Sequence, residues 1–439
     1  MAHLCILLLL TPPNLPFKGR NHDIMSNNQK IDIVMFNMSS YADWQKGYAN
    51  RNLHILHHLL KDERVRKIVA IDYLPFTFRR AIRAWLEGVV RGPEGETLVR
   101  NIGRRLTAVK NSEITKVGYG LSDQDQNVVA YKLFNYSSIT SFFSEELFLK
   151  QLVKDLDKLD LKNVVLWSYL PTFAGYFKRL GEKLSVFDAV DNWLLNSDFK
   201  KFVGKLKQNY QIIRYKADLI FTTAPALVDF FERDQNCYFV PNAVNLPSVD
   251  NKILVGRDIV SIPKPIIGYC GVIQENRVDI NLIVAVAKLN PNKSFVLLGR
   301  VSAGLKKIVK QKLLPLKNVY LLGRKPHLEI PSYTSNFDVG FIPYLINDFN
   351  AVTNSLKLYE YLASGKPVVA TPTSGAEEFK DLVYLANTPE EFSQSLTKAL
   401  GEDNFELKQK RIAVAGENIW GKRVDFMLGK ITEQLEKLS

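Results

Sequence analysis

The segment from Asn350 to Ala370 places side chains at spacings that suit a phosphorylated nucleoside. Thr353 and Asn354 are residue types that favour a helix start, and a helical run follows them at once. Gly365 stops that run, Pro367 prevents its continuation, and Val368–Ala370 follows as a strand. A helix start offers free backbone N–H groups and the positive end of the helix dipole, and both suit a diphosphate. Lys357, in the first turn, adds a full positive charge there. Glu360 then stands among Leu358, Tyr359, Tyr361, Leu362 and Ala363, where a carboxylate is costly to bury unless something hydrogen-bonds to it. A ribose diol meets that need, because an ionised glutamate only accepts hydrogen bonds and can take both hydroxyl protons. A lone helical glutamate is ordinarily a solvated one. It is the whole block of cap, lysine, glutamate, glycine stop and buried strand that points to a ligand.

A second group lies in the first half of the chain. The strand pattern Leu184–Phe187 runs into Asp188, Asp191 and Trp193. A carboxylate in that place can serve chemistry or simply cap the following helix. Trp167 and Tyr169 follow another strand pattern, and Ser39, Ser40 and Trp44 follow the first. Aromatic faces at the carboxyl end of a strand suit sugar rings, although core packing accounts for Trp167 nearly as well. His54, His57 and His58 share one predicted helix, and the first and last are spaced to reach one metal ion. No glutamate motif or other ligand cluster accompanies them, so neither a metal nor another cofactor is expected.

The elements that must hold these groups alternate between short apolar runs and longer helical patterns. Strands are expected at Ile31–Phe36, Lys67–Asp72, Val128–Leu133, Asn163–Trp167, Leu184–Phe187 and Leu219–Thr222. The second half adds Ile266–Tyr269, Phe295–Leu298, Val319–Leu321, Val339–Ile342, Val368–Ala370 and Val383–Ala386. Several are continuous apolar runs, as parallel strands buried on both faces require. Strand alternating with helix argues for doubly wound α/β domains. Between Phe239 and Lys264 the chain is punctuated by Pro241, Pro247 and Pro263 without helical periodicity, which reads as a linker. The expected division is an N-terminal extension over 1–30, a first Rossmann-like domain over 31–245, a linker over 246–264, a second domain over 265–415 and a terminal helix over 416–439. In that last helix Val424, Met427, Leu428, Ile431 and Leu435 recur at helical spacing, so it must pack on something.

Composition sets the outer bounds. A chain of 439 residues exceeds one ordinary hydrophobic core, and its 46% hydrophobic and 23% charged content is that of a folded globular protein. Cys5, Cys237 and Cys270 form no metal spacing and leave one thiol unpaired, which favours a reducing cytoplasm. The apolar run Leu4–Leu10 is too short to span a bilayer, and no Lys or Arg precedes it as in a signal peptide. Residues 1–24 read either as an extension outside the core or as a short membrane-tethering segment. The net charge of +13 suits an anionic partner, and the basic residues match no nucleic-acid motif. Residues 79–110 bring together Arg79, Arg80, Arg83, Arg91, Arg100, Arg104, Arg105 and Lys110 with Trp85 and apolar neighbours. Arg79–Arg91 has the pattern of a basic amphipathic helix, which can lie on an anionic membrane or be a solvated face with Trp85 in the core.

The second half resembles the GT-B glycosyltransferases of family 4, the group 1 type, and among them bacterial teichuronic-acid and exopolysaccharide glycosyltransferases. The matching pieces are Ile267-Gly268-Tyr269-Cys270-Gly271 through Arg277-Val278-Asp279, then Phe295-Val296-Leu297-Leu298-Gly299. Asn318 to Gly323, Phe337-Asp338-Val339 with Ile342-Pro343, and Lys357 to Val369 continue the match in order. The first half resembles the group more thinly, through Phe187 to Trp193, Ala217 to Phe221 and Val240-Pro241-Asn242-Ala243-Val244. The resemblance implies two Rossmann-like domains facing across a cleft, with the last helix crossing back to the first domain. It implies a nucleotide-diphosphate sugar donor, UDP- or GDP-linked, in the second domain and a glycan or lipid-linked acceptor on the first. Glu360 would hold the ribose, and the amides around Thr353, Asn354 and Ser355 the diphosphate. Arg277 and Lys357 would neutralise that diphosphate. Gly271 would permit close approach, Gly299 would belong to the donor site, and Arg324 would lie near the base. Asp191, with Asp188 second, would serve the acceptor, beside Ser39, Ser40, Trp44, Trp167 and Tyr169.

Two positions depart from the family pattern. Val272 stands where relatives usually carry arginine, and Val352 where many carry a second glutamate, with Asp348 and Asn350 the nearest polar replacements. The resemblance implies transfer with retention, without a metal, in which positioning and stabilisation of the leaving diphosphate dominate. Two other readings remain open at this level: a sugar-nucleotide epimerase of the same fold, and a degenerate binding or scaffold subunit.

Overall fold

The computed structural model describes residues 30–45, 47–72, 106–109, 132–232, 235–246 and 257–438. The apolar run near the start and nearly all of the basic segment 79–110 lie outside the described residues.

Fourteen strands among the described residues form two sheets. In chain order they are β1 (Ile31–Phe36), β2 (Val65–Ile71), β3 (Leu106–Val109), β4 (Leu133–Tyr136), β5 (Val164–Ser168), β6 (Leu184–Ala189), β7 (Leu219–Thr222) and β8 (Cys237–Phe239), then β9 (Ile266–Cys270), β10 (Ser294–Leu298), β11 (Val319–Gly323), β12 (Val339–Ile342), β13 (Val368–Ala370) and β14 (Val383–Leu385). The first sheet runs β3-β4-β2-β1-β5-β6-β7-β8, parallel except for β3 against β4. The second runs β11-β10-β9-β12-β13-β14 and is parallel throughout. Every residue of β1, β6, β9 and β10 is buried, the polar Asp32, Ser185, Asp188 and Ser294 included, as in strands covered by helices on both faces.

The second sheet has the doubly wound Rossmann order, which reverses between β9 and β12; the first reverses between β1 and β5. Where the order reverses, the connections leave in opposite directions and open a crevice beyond the carboxyl ends of the strands. Ligands of this architecture bind there.

The terminal helix Trp420–Leu438 buries Trp420, Val424, Met427, Leu428 and Ile431 in the same apolar cluster as Ile33, Met35, Val165 and Trp167 of the first sheet. The amphipathic tail thus covers the first domain. Two passages of chain run side by side where the domains join: Val244 N–H donates to Asn418 O at 3.0 Å and Trp420 N–H to Val244 O at 3.1 Å. The stretch expected as a linker is not structureless throughout. A short helix at Arg257–Val260 buries Ile259 in the second core, and Asp258 accepts from Tyr333 Oη at 2.6 Å and Lys325 Nζ at 2.5 Å.

Candidate functional site

Beyond β12 the chain passes Pro343 and Tyr344, makes the short helix Asp348–Ala351, and enters the helix Leu356–Ala363 through Ser355. Ser355 sits at the cap with extended backbone, yet its hydroxyl makes no bond to the first turn; it lies 3.3 Å from Tyr344 Oη instead. The helix start therefore lacks the side-chain acceptor that normally satisfies it. Lys357 leans back over this end, as helical side chains do. Its Nζ donates to Tyr344 Oη at 3.0 Å and lies 5.3 Å and 5.5 Å from the ring centroids of Tyr269 and Tyr344. Burial pushes its pKa down, but Tyr269 and Tyr344 outweigh that, so the ammonium stays charged.

The strand ends leave room for it. Gly271 has φ +147°, and a Cβ there would stand 2.2 Å from Lys357 Cε. Gly299 has φ +152°, and a Cβ there would meet Gly271 O at 1.9 Å. Both positions demand glycine for conformation and for space.

Arg277 supplies the second cation. Its Nη1 is 3.4 Å from Thr353 Oγ1, its Nη2 is 3.3 Å from both oxygens of Asp191, and Phe349 and Tyr344 offer ring faces at 4.9 Å and 5.8 Å. Asp191 comes from the loop after β6, so this ion pair joins the two domains. Burial raises the Asp191 carboxyl above its ordinary value, and Arg277 only partly opposes it. Asn196 Oδ1 accepts from Asn276 Nδ2 at 2.9 Å alongside it.

Glu360 is half-buried, and its carboxylate has no hydrogen-bond partner among the described residues. Burial raises its pKa to about 7, with Lys357 pulling the other way. Two cations, an uncapped helix start and a carboxylate with no hydrogen-bond partner among the described residues thus lie together near the β9/β12 reversal.

A family model described as glycosyl transferases, group 1, matches residues 264–402. Those residues form a group 1 glycosyltransferase domain. The transferase is 26% identical over 322 residues to a Bacillus subtilis (strain 168) protein named for a role in teichuronic acid biosynthesis, the glycosyltransferase TuaH, spanning 67% of this chain and 79% of that protein. Its fold resembles Anabaena HepE, solved with UDP and glucose, at TM-score 0.62 and 14% identity, covering 93% of this chain and all of that one. A sucrose-phosphate synthase from Thermosynechococcus elongatus matches equally, with TM-score 0.62, 13% identity and the same coverage. At such identities the likeness speaks to the fold, which is the two-domain GT-B arrangement.

On the first-domain side of the transferase, several expected site residues lie elsewhere than the crevice. Asp188 falls inside β6 and is fully buried, with both oxygens 3.0 Å from Arg51 Nε. Trp44, Trp167 and Tyr169 are fully buried and present no ring face to a sugar. Ser39 and Ser40 are buried too: Ser39 Oγ accepts from Trp44 Nε1 at 2.7 Å, and Ser40 Oγ donates to Asp43 at 2.8 Å. The expected acceptor platform is corrected accordingly, because helix packing covers those strand ends. Asp191 caps no helix; it faces Arg277.

In the second domain, the amide of Thr353 is taken by Asn350 O at 2.9 Å, which leaves Asn354, Ser355 and the first helical turn to offer N–H groups. Arg324 is exposed and lies 5.6 Å from the Tyr48 ring of the first domain. Of the replacements for Val352, Asn350 is buried with Nδ2 donating to Leu345 O at 2.9 Å, and Asp348 is exposed. His54, His58 and His327 pack near the junction of the domains. His54 stacks on Trp420 at 5.2 Å and meets His327 edge-on at 5.4 Å, while His58 Nε2 lies 2.9 Å from Asn245 Oδ1. Burial holds His57 down at about 3 and His327 at about 4. Tyr344 and Tyr269, which flank Lys357, were not expected from the sequence. Their places at the carboxyl ends of β12 and β9 were the signal that could have found them.

Proposed function

We propose that this protein transfers a glycosyl group from a nucleoside-diphosphate sugar, with UDP as the first nucleotide to test, to a glycan or lipid-linked acceptor in cell-surface polysaccharide synthesis. The observation that carries the reading is that Lys357 and Arg277 flank an uncapped helix start beside Glu360, which has no hydrogen-bond partner among the described residues. In this reading the diphosphate lies on the amides of Ser355 and the first turn, between Lys357 and Arg277. The ribose hydroxyls donate to Glu360. UDP in the HepE structure, and a trehalose-phosphate enzyme from E. coli solved with UDP-2-fluoro glucose, favour a uridine nucleotide.

Transfer proceeds with retention. The bond between the anomeric carbon and the diphosphate oxygen breaks, and the electron pair stays on the diphosphate. The acceptor hydroxyl attacks the same face and passes its proton to the departing phosphate. Two fixed cations and a helix end stabilise that developing charge, which is the largest service a site of this kind can perform, and no metal is required for it. Asp191, on the opposite wall, orients the acceptor. The teichuronic-acid role in the name of the B. subtilis relative favours an acceptor in surface polysaccharide assembly.

No described helix is long and apolar enough to cross a membrane. In this proposal the basic segment 79–110, outside the described residues but for one strand, docks the first domain on an anionic leaflet, on the cytoplasmic side, where a lipid-linked acceptor resides. Release of UDP from UDP-sugars, with and without isolated membranes as acceptor source, tests the function. UDP release and sugar incorporation into membrane material are expected together. Interconversion of UDP-sugars without acceptor would replace transfer by epimerisation.

A further inference from the structure

The loop that begins the donor helix is tied to the first domain by a buried relay of hydrogen bonds. Asn242 follows β8, where the chain leaves the first sheet, and is 4% exposed. Its backbone N–H donates to Asn354 Oδ1 at 2.9 Å, and its Nδ2 donates to the Asn354 carbonyl at 2.6 Å. Asn354 Nδ2 in turn donates to Tyr359 Oη at 3.0 Å, one turn into the helix. The side chain and the carbonyl of Asn354 are thus committed to structure, and its backbone N–H is the group left to offer a ligand.

Asn242 is itself oriented from beneath. Arg51 Nη1 donates to Asn242 Oδ1 at 3.2 Å, while Arg51 Nε holds both oxygens of Asp188 at 3.0 Å. The guanidinium lies 5.5 Å from the Trp420 ring of the terminal helix. A primary amide can turn over and exchange its oxygen for its nitrogen, but only the observed face places NH2 against the Asn354 carbonyl. A guanidinium donates and never accepts, so Arg51 fixes that face. A charge pair buried this deeply costs desolvation on both sides, and hydrophobic residues of equal volume are often as stable there.

We propose that Arg51 and Asn242 are positioning residues for the donor diphosphate: through Asn354 they hold the amides at the start of helix Leu356–Ala363 in register with Arg277 and with Asp191 across the cleft. The inference rests on the nucleoside-diphosphate reading of that crevice. It assigns the buried Asp188 an indirect part, as the anchor of Arg51.

Calorimetric titration of UDP and uridine into wild-type protein, Asn242→Ala, Asn242→Asp and Asn354→Ala tests this, with melting temperature recorded for each. Wild type binds UDP more tightly than uridine. Asn242→Ala loses about tenfold in UDP affinity, about 1.4 kcal/mol, and stays within about twofold for uridine. Asn242→Asp does no better, because aspartate keeps the shape but has no NH2 for the Asn354 carbonyl. Asn242→Ala adds little to Asn354→Ala, since both cut the same link. A purely structural role would lower the melting temperature and leave the UDP-to-uridine ratio of the folded protein unchanged; that result overturns the proposal. Equal loss for both ligands also overturns it. Absence of UDP binding by the wild-type protein overturns the underlying reading as well, and so separates the two failures.

Discussion

Arg277 and Asp191 come from opposite domains, and one guanidinium nitrogen lies 3.3 Å from both carboxylate oxygens. The distance is long for a charge-assisted hydrogen bond, which normally closes to about 2.7–2.9 Å. Arg277 is therefore shared between Asp191 and Thr353, and in the proposed reading a donor diphosphate entering beside Thr353 would compete with Asp191 for it.

The first prediction follows from that competition. Asp191→Asn removes the rival charge, so UDP affinity should stay level or rise while transfer falls with the loss of the acceptor-side carboxylate. Calorimetry and a turnover assay on the same preparation check both halves. A fall in UDP affinity would mean that Asp191 supports the donor site instead of competing with it.

The cations should act on the phosphates and not on the nucleoside. Lys357→Ala and Arg277→Ala are expected to weaken UDP by at least about 1.5–3 kcal/mol each, the range for a charged hydrogen bond, and uridine by much less. Gly271→Ala should mimic Lys357→Ala, because the added methyl would occupy the place of Lys357 Cε. Parallel losses for UDP and uridine would remove the diphosphate role.

Glu360 predicts opposite pH trends for stability and for binding. Its pKa is raised by burial from 4.5 to about 7 in the folded, ligand-free protein. The folded state then holds the proton more tightly than the unfolded one between those values. This group's contribution to stability is complete below the unfolded pKa and is lost as pH rises toward the folded one. A ribose diol needs the ionised acceptor, so UDP affinity should rise over the same interval and level off above about pH 7. Glu360→Gln should flatten both curves. UDP affinity independent of pH in the wild type would count against ribose binding here.

The relation between sequence and structure is instructive at particular residues. β1, β7, β12 and β13 fall where apolar, β-branched runs mark them, because strands buried on both faces carry that signal in most positions. β8, three residues long at the sheet edge, carries too little pattern to stand out, and β3 is short as well. The grouping of Lys357, Glu360, Gly271 and Gly299 near the β9/β12 reversal was legible because local spacing on one helix and two strand ends fixes their places. The first-domain candidates were not. Whether Trp167 is open or covered depends on the terminal helix, some 250 residues away, and Asp188 finds Arg51 at a separation of 137 residues. Asp188, near the end of a strand, and Asp191, in the loop after it, thus found arginines in different domains through contacts that no local pattern announces.

The basic segment 79–110 yields a prediction that needs no atomic detail. The protein should co-sediment with anionic liposomes, release from them as salt rises, and bind less when Arg79, Arg80 and Arg83 become glutamate. Each basic residue near the surface contributes about 1 kcal/mol at low salt. Binding to neutral liposomes alone, or no binding to anionic ones, contradicts membrane docking through this segment.

The most direct test of the whole account is a calorimetric titration of UDP into the wild-type protein and Glu360→Ala at a pH above 7. One site per chain is expected in the wild type, with an affinity loss of about tenfold or more in the variant and an unchanged fold by circular dichroism. Equal UDP affinity in the two proteins would contradict it.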